Sequence, residues 1–99
     1  MYVVIQKNTR GVLEIEEKAL IDLITYLVRT NSKNLDSDDI KVHIFVKHEV
    51  VLFVNIELFI SNIDEQIQDE NNITSVIEEA IVQTLQIKPK NVSYVYTHK

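Results

Sequence analysis

The chain has no cysteine or tryptophan, and only one glycine and one proline among its 99 residues. Without cysteine it can form neither a disulfide framework nor a thiol nucleophile, and no zinc site built on thiolates. A single glycine is too few for a glycine-rich phosphate loop or for the G-x-x-G clamp of a KH domain. These classes of site are therefore excluded by composition.

Positive charge and long apolar runs are also scarce. Ten Lys and Arg residues face fifteen Asp and Glu residues, for a net charge of −5, and this disfavours nucleic acid because cationic side chains supply most of the affinity for phosphates. The longest apolar run, Val50–Val54, is far shorter than the ~20 residues of a membrane-spanning helix. Met1–Lys7 lacks the pattern of a signal peptide. We expect no direct membrane span.

The most informative segment is Ile40 to Ile60, where apolar and other residues alternate. The alternation through Val46, and again from Leu52, predicts two strands of a hairpin, each with one face in a core. The apolar residues share a face only if paired residue numbers add to an even value, which requires an odd loop such as Lys47–Glu49. A glycine often occupies such a loop, and none is present here.

Helical periodicity flanks this hairpin on both sides. One amphipathic stripe comprises Leu20, Ile21, Ile24, Leu27 and Val28, and a second comprises Ile73, Val76, Ile77, Ala80, Ile81 and Leu85. Asn62 is placed to cap the start of the second helical region. Asn71-Asn72 either divides that region into two helices or lies exposed within one.

Three shorter segments alternate as strands: Tyr2–Gln6, Val12–Ile15 and Val92–Thr97. Lys7–Gly11 reads as a turn in which the glycine tolerates a positive φ. The order β-β-α-β-β-α-β predicts one α+β domain over residues 1–99. Its expected architecture is two layers, a small mixed or antiparallel sheet with two helices packed on one face.

No catalytic, cofactor-binding or metal site is predicted. His43 and His48 are an odd number of residues apart, so in an extended strand they point to opposite faces. The acidic run Asp36–Asp39 lacks the glycine and the later glutamate of a calcium loop. We expect no enzymatic activity and no cofactor.

One group of residues survives as a candidate surface for a protein partner. The sheet face opposite the helices would carry His43, Phe45, Val51, Phe53 and Phe59. Three exposed phenylalanines are more than a solvated face requires. Either Tyr2–Ile5 or the long loop covers them, or they form a surface for self-association or for a partner.

The alternative function is a nucleic-acid-associated or ribosome-associated module. Tyr94 and Tyr96 share a strand face and could stack bases, and Lys88, Lys90 and Lys99 lie near them in the sequence. The two tyrosines are in phase with Val92, however, which favours packing at the edge of the core.

The order of elements resembles that of the bacterial alkaline-shock or envelope-stress-response protein family. Gly11–Ile15 opens directly into the first helix, two long alternating strands follow, and the second helix ends in Thr84–Ile87 before Val92–Tyr96. The likeness extends from Arg10 to Thr97 and consists of apolar spacing. Glycines that the family commonly carries after the first helix, after the hairpin and near the end of the second helix are missing, as in a divergent member.

This resemblance implies a non-enzymatic cytoplasmic protein. It also implies a homo-oligomer that can gather at the inner face of the membrane through a small membrane-anchored partner protein. The family has no catalytic residues to transfer onto this sequence.

Overall fold

The computed structural model describes residues 2–6, 12–48 and 51–99. In chain order their elements are β1 (Tyr2–Gln6), β2 (Val12–Glu16), α1 (Glu17–Thr30), a 3-10 turn (Ser37–Asp39), β3 (Ile40–Lys47), β4 (Val51–Ile60), α2 (Ile63–Gln66), α3 (Glu70–Leu85) and β5 (Asn91–His98). A small mixed sheet and two long helices confirm the expected α+β class. The predicted turn Lys7–Gly11 lies outside the described residues.

The main sheet has three strands in the order β3-β4-β5. β3 pairs antiparallel with β4, and β5 pairs parallel with it. The parallel pair follows from the chain path, because α2 and α3 carry the chain back to the end of the sheet at which β4 begins. β1 and β2 do not join this sheet but pair with each other. β2 runs into α1 without a loop and so stays beside the helices.

The register of β3 against β4 agrees with the sequence prediction. Ile44 lies opposite Val54 and Val46 opposite Leu52, so paired numbers add to an even value. Three residues separate the paired Lys47 and Val51, one position later than the loop predicted from the sequence. His48 adopts φ 56°, the left-handed conformation that a glycine would otherwise supply.

The even register gathers the apolar side chains on one face. Alternate residues of β4 are almost fully buried: Leu52, Val54, Ile56, Leu58 and Ile60. They form one cluster with apolar residues of both long helices, namely Leu20, Ile24, Val28, Ile73, Ile77, Ile81 and Leu85. The apolar side chains of the strands, which repeat every two residues, and those of the helices, which repeat every 3.6 residues, therefore pack in a single core.

The second helical region is divided, but not at Asn71-Asn72. α2 ends at Gln66 and α3 begins at Glu70. Asp69 caps α3 by accepting a hydrogen bond from the Asn72 N–H at 3.2 Å. The residues between the two helices are held by side-chain contacts to a distant loop, which override the local helical pattern.

We predict that His48→Gly raises the free energy of unfolding by up to about 1 kcal/mol, because it relieves a left-handed β-carbon. His98→Gly is the matched control. His98 is exposed in β5 and is not among the residues with positive φ, so its replacement should lower stability by about 0.5–1 kcal/mol. Urea unfolding measures both changes. A loss of stability in His48→Gly as large as in the control would contradict the account of the turn.

Candidate functional site

The outer face of the main sheet, defined as the face turned away from the helices, is the candidate site. It carries alternate residues of the three strands: Lys41, His43, Phe45 and Lys47 from β3, Val51, Phe53, Asn55, Glu57 and Phe59 from β4, and Asn91, Ser93, Val95 and Thr97 from β5. The same register that buries the even-numbered residues of these strands places these odd-numbered residues outward.

Aromatic side chains lie together at one end of this outer face. Phe45 is directly opposite Phe53, and their ring centroids are 6.1 Å apart with planes tilted by 46°. The side chain of Phe45 is 62% exposed, while Phe53 and its neighbour Val51 are half-buried. An aromatic pair of this geometry is held by its own contact and still presents apolar surface to solvent.

A second apolar group lies at the other end. Phe59 follows Phe53 by six residues along β4, which corresponds to about 20 Å at 3.4 Å per residue. Its diagonal neighbour is Val95, which is paired with Glu57 and is 46% exposed. The five predicted residues therefore share one face but form two groups rather than one.

Polar side chains lie between these two apolar groups. The Glu57 carboxylate accepts a hydrogen bond from the Thr97 hydroxyl at 3.0 Å, and it lies 3.8 Å from His43 Nε2. Asn55 is paired with His43 on one side and Ser93 on the other. This band can orient a partner by hydrogen bonding, and Glu57 is its acidic member.

Two lysines of β3 also lie on the outer face. Lys41 and Lys47 are both exposed on it, and neither forms an ion pair within the described part of the chain. An open depression of about 400 Å³ lies among His43, Phe45, Phe53, Asn55, Asn91 and Ser93. The outer face thus offers an aromatic pair, amides and hydroxyls, and two exposed lysines.

All five residues predicted for a partner surface lie on the outer face: His43, Phe45, Val51, Phe53 and Phe59. Phe45 is exposed, so the described residues leave the outer face open at this position. Their role in binding remains a prediction. Val95 was missed, although its alternation with Tyr94 and Tyr96 already places it on the outer face.

Tyr94 and Tyr96 lie on the opposite, inner face and pack against the core edge, as the phase with Val92 predicts. The Tyr96 hydroxyl donates to the Glu70 carboxylate at 2.8 Å and accepts from the Gln68 N–H at 3.3 Å. The Tyr94 and Thr74 hydroxyls are 2.7 Å apart. These bonds attach β5 to the start of α3 and remove both rings from any base-stacking role on the outer face.

Burial and the hydrogen bond to Glu70 raise the pKa of Tyr96 to about 12, and burial also raises the pKa of Tyr94. Both effects favour the neutral phenol in the folded state. The ionised unfolded state is therefore favoured as pH rises above the ordinary tyrosine value of about 10.

Two buried glutamines were missed by sequence reasoning. The Gln66 side-chain oxygen accepts from the Ser61 and Asn62 N–H groups at 2.6 and 2.8 Å, and its amide donates to the Asn34 carbonyl at 3.1 Å. Gln68 exchanges two hydrogen bonds with the Lys33 backbone. They join the segment before α3 to the segment after α1, contacts of long sequence separation that no local pattern reveals.

The acidic run before β3 is organised as a cap. Asp39 accepts a hydrogen bond from the Asp36 N–H at 3.1 Å and forms an ion pair with Lys99. The Lys99 contact and the Asp36 N–H lower the pKa of Asp39. Its side chain is therefore a structural tie between the 3-10 turn and the end of β5.

The histidines are dispersed. His43 lies on the outer face, His48 follows β3, and His98 ends β5. Within residues 2–6, 12–48 and 51–99, no three His, Asp or Glu side chains are grouped as metal ligands. No helix in that same part of the chain has the length and apolar character needed to cross a bilayer.

Comparison with protein-family models, with curated proteins and with solved structures found no match to this chain. The resemblance to the envelope-stress-response family therefore stays a prediction from the sequence.

We predict that Tyr96→Phe lowers the free energy of unfolding by about 1–2 kcal/mol at neutral pH, because the Glu70 and Gln68 contacts are lost. In the unmodified protein, stability should fall as pH rises from about 10 towards 12, since the raised pKa keeps the folded phenol protonated while the unfolded one ionises. Urea unfolding across that range measures both. An equally steep decline in Tyr96→Phe would contradict the assignment of this pH dependence to Tyr96.

Proposed function

We propose that this chain is a non-enzymatic interaction module of the envelope-stress-response type. In this proposal it is a two-layer domain that self-associates and receives a partner protein on the outer face of its sheet. Recruitment to the inner side of a membrane by a small membrane-anchored protein is part of the proposal. The observation that carries it is the ring pair of Phe45 and Phe53 on an open sheet, in which Phe45 is exposed.

The energetics of this pair support a binding role. Burying a phenylalanine side chain is worth about 1.5–3 kcal/mol, so leaving Phe45 in water gives up a stabilisation that the fold could have used. Aromatic anchors surrounded by polar groups are typical of the centre of protein interfaces. Here the polar surround is His43, Asn55 and Glu57, which can supply directional contacts at the rim.

The rigid support of the surface is a second argument. Phe53 lies on the central strand β4, whose alternate residues are fully buried beneath the helices. An anchor on such a strand loses little conformational freedom on binding, which reduces the cost of association. Among the polar groups between the two apolar ends, the Glu57 carboxylate is already held by the Thr97 hydroxyl.

The test is a crosslinked pull-down of the tagged full chain from its own cells, with membrane and soluble fractions identified separately. We predict recovery of the chain itself and of one small membrane protein. Phe53→Lys and Phe45→Lys should lower the recovery of the membrane protein by about 30-fold, equivalent to a loss of about 2 kcal/mol.

Tyr26→Lys is the matched control, because Tyr26 is 55% exposed on α1 and lies away from the outer face. It should leave recovery unchanged. Circular dichroism and thermal unfolding must show that the Phe45→Lys variant keeps its fold, which its high exposure favours. Undiminished recovery in both phenylalanine variants would refute the outer face as the binding surface.

A nucleic-acid function has one specific observation in its favour. Lys47 is the outer-face neighbour of the exposed Phe45, Lys41 lies beyond His43 on the same strand, and Lys90 directly precedes Asn91 beside Phe53. Aromatic rings with nearby cations on a sheet are the elements that bind single strands. Glu57 on the same face and the net charge of −5 oppose it.

This second candidate predicts a strong response to salt. Release of counterions from about three phosphates should weaken single-strand RNA binding about 20-fold between 50 and 200 mM salt. A gel shift over that range, with Lys47→Gln as the variant and Lys18→Gln on α1 as the control, measures it. Absence of a shift, or a shift insensitive to salt, excludes this function.

A further inference from the structure

The strand β5 forms an edge of the main sheet. It is eight residues long and pairs with β4 on one side; no other strand in the described part of the chain pairs with it. An edge strand presents a row of N–H and C=O groups that another strand can bind.

The groups that face outward can be identified. The Lys99 N–H donates to the Ile60 carbonyl at 2.8 Å, next to the paired residues Ile60 and His98. In a parallel ladder the residues that bond a given neighbour alternate along the strand. The odd-numbered residues of β5 therefore bond β4, and the backbone groups of Val92, Tyr94 and Tyr96 point to the free edge.

The sequence of this edge lacks the usual protections. Val92–Thr97 contains no charged residue, no proline and no glycine, whereas natural edge strands are commonly blunted by lysine, proline or a bulge. The nearest lysines on either side of this stretch are Lys90 and Lys99, and Lys99 forms an ion pair with Asp39. The centre of the edge is open to a strand of matching length.

We propose that β5 pairs antiparallel with β5 of a second copy of this chain, with Val95 opposite Val95 of the second copy on the twofold axis. The residue numbers of each cross-strand pair must add to an even value, because only then do the outer faces of both copies lie on the same side of the joined sheet. This register sets Ser93 opposite Thr97 and Tyr94 opposite Tyr96 in both halves.

Self-complementarity is the reason for choosing a second copy as the occupant. A β-branched pair, hydroxyl pairs and aromatic pairs are the cross-strand combinations that stabilise antiparallel sheets, and this register makes all of them at once. Moving the second copy by two residues along the strand would instead bring Lys90 opposite His98 and Ser93 opposite Val95. The backbone groups needed for the twofold pairing are those already facing outward.

The inference deepens the proposed function and rests on it, because it assigns the self-association to the β5 edge. The joined sheet has six strands, and its outer face presents two copies of the Phe45 and Phe53 surface. Two such surfaces on one rigid sheet allow a bivalent contact, which strengthens binding to a clustered partner without new contacts.

The charges beside β5 give this pairing a distinctive salt response. Glu70 is bonded to Tyr96, so one carboxylate of each copy lies beside the joined strands. The repulsion between these two carboxylates is screened by salt. Association through β5 should therefore strengthen with rising ionic strength.

Disulfide trapping tests the pairing, and the absence of native cysteine leaves no background. Val95 has its backbone groups turned towards β4, so the two central residues form a non-hydrogen-bonded pair with Cα atoms about 4.5 Å apart, within the range for a disulfide. Mild oxidation of Val95→Cys should give a covalent dimer as the main species.

Ser93→Cys is the control. In the proposed register residue 93 of one copy lies four positions, or about 13 Å, from residue 93 of the second copy. The Ser93→Cys chain should therefore remain monomeric. A mixture of Ser93→Cys and Thr97→Cys chains should form the mixed dimer. If Ser93→Cys dimerises as readily as Val95→Cys, or if Val95→Cys stays monomeric, the proposed pairing is wrong.

Sedimentation of charge variants separates this inference from the proposed function. Val95→Lys sets two cations opposite each other on the axis and should weaken self-association about tenfold or more. Tyr26→Lys makes the same charge change on the exposed side of α1 and should not. Self-association lost in Phe53→Lys but kept in Val95→Lys would overturn the edge pairing and retain the outer face. Undiminished partner recovery by Phe53→Lys, together with intact Val95→Cys dimers, would refute the outer face and retain the edge pairing.

Discussion

The even register of β3 against β4 decides which side chains the helices bury and which remain for a partner. It sets Ile44 beside Val54 and Val46 beside Leu52 under the helices, and it turns Phe45 and Phe53 outward as a facing pair. A slip by one residue would exchange the two faces of one strand. Lysines such as Lys41 would then be forced into the core, so the same packing that stabilises the fold also preserves the outer face.

The parallel strand β5 completes this face, and polar contacts hold it in place. Tyr96 and Tyr94 bond to Glu70 and Thr74 at the start of α3, while Gln66 and Gln68 anchor the preceding segment. These buried groups are satisfied by partners far away in sequence, which favours one arrangement of the chain over its competitors. The result is a rigid sheet with an open outer face and an open edge, and the two proposals concern these two features.

Most of the fold could be predicted from periodicity, because period 2 and period 3.6 report directly on burial. The hairpin register, both helical stripes and the outer position of Phe45 and Phe53 were all available in the sequence. The isolation of β1 and β2 from the main sheet was not, since a short apolar strand carries no mark of its neighbour. The position of the break before α3 could not be predicted, because it depends on the long-range contacts of Gln66 and Gln68. The division of the site into two groups could not be predicted, because it depends on the position of Phe59 along β4 and on which strand lies beside β4.

Concentration-dependent two-dimensional NMR of the full chain tests the central claim most directly, because it reports on every amide without altering the sequence. If copies of the chain pair through β5, dilution should shift the resonances of β5 and of its neighbouring strand β4. The exposed side of α1 around Tyr26 should be unaffected. Shifts confined to the helices, or spectra independent of concentration up to the millimolar range, would contradict the account of the sheet as the surface through which this chain associates.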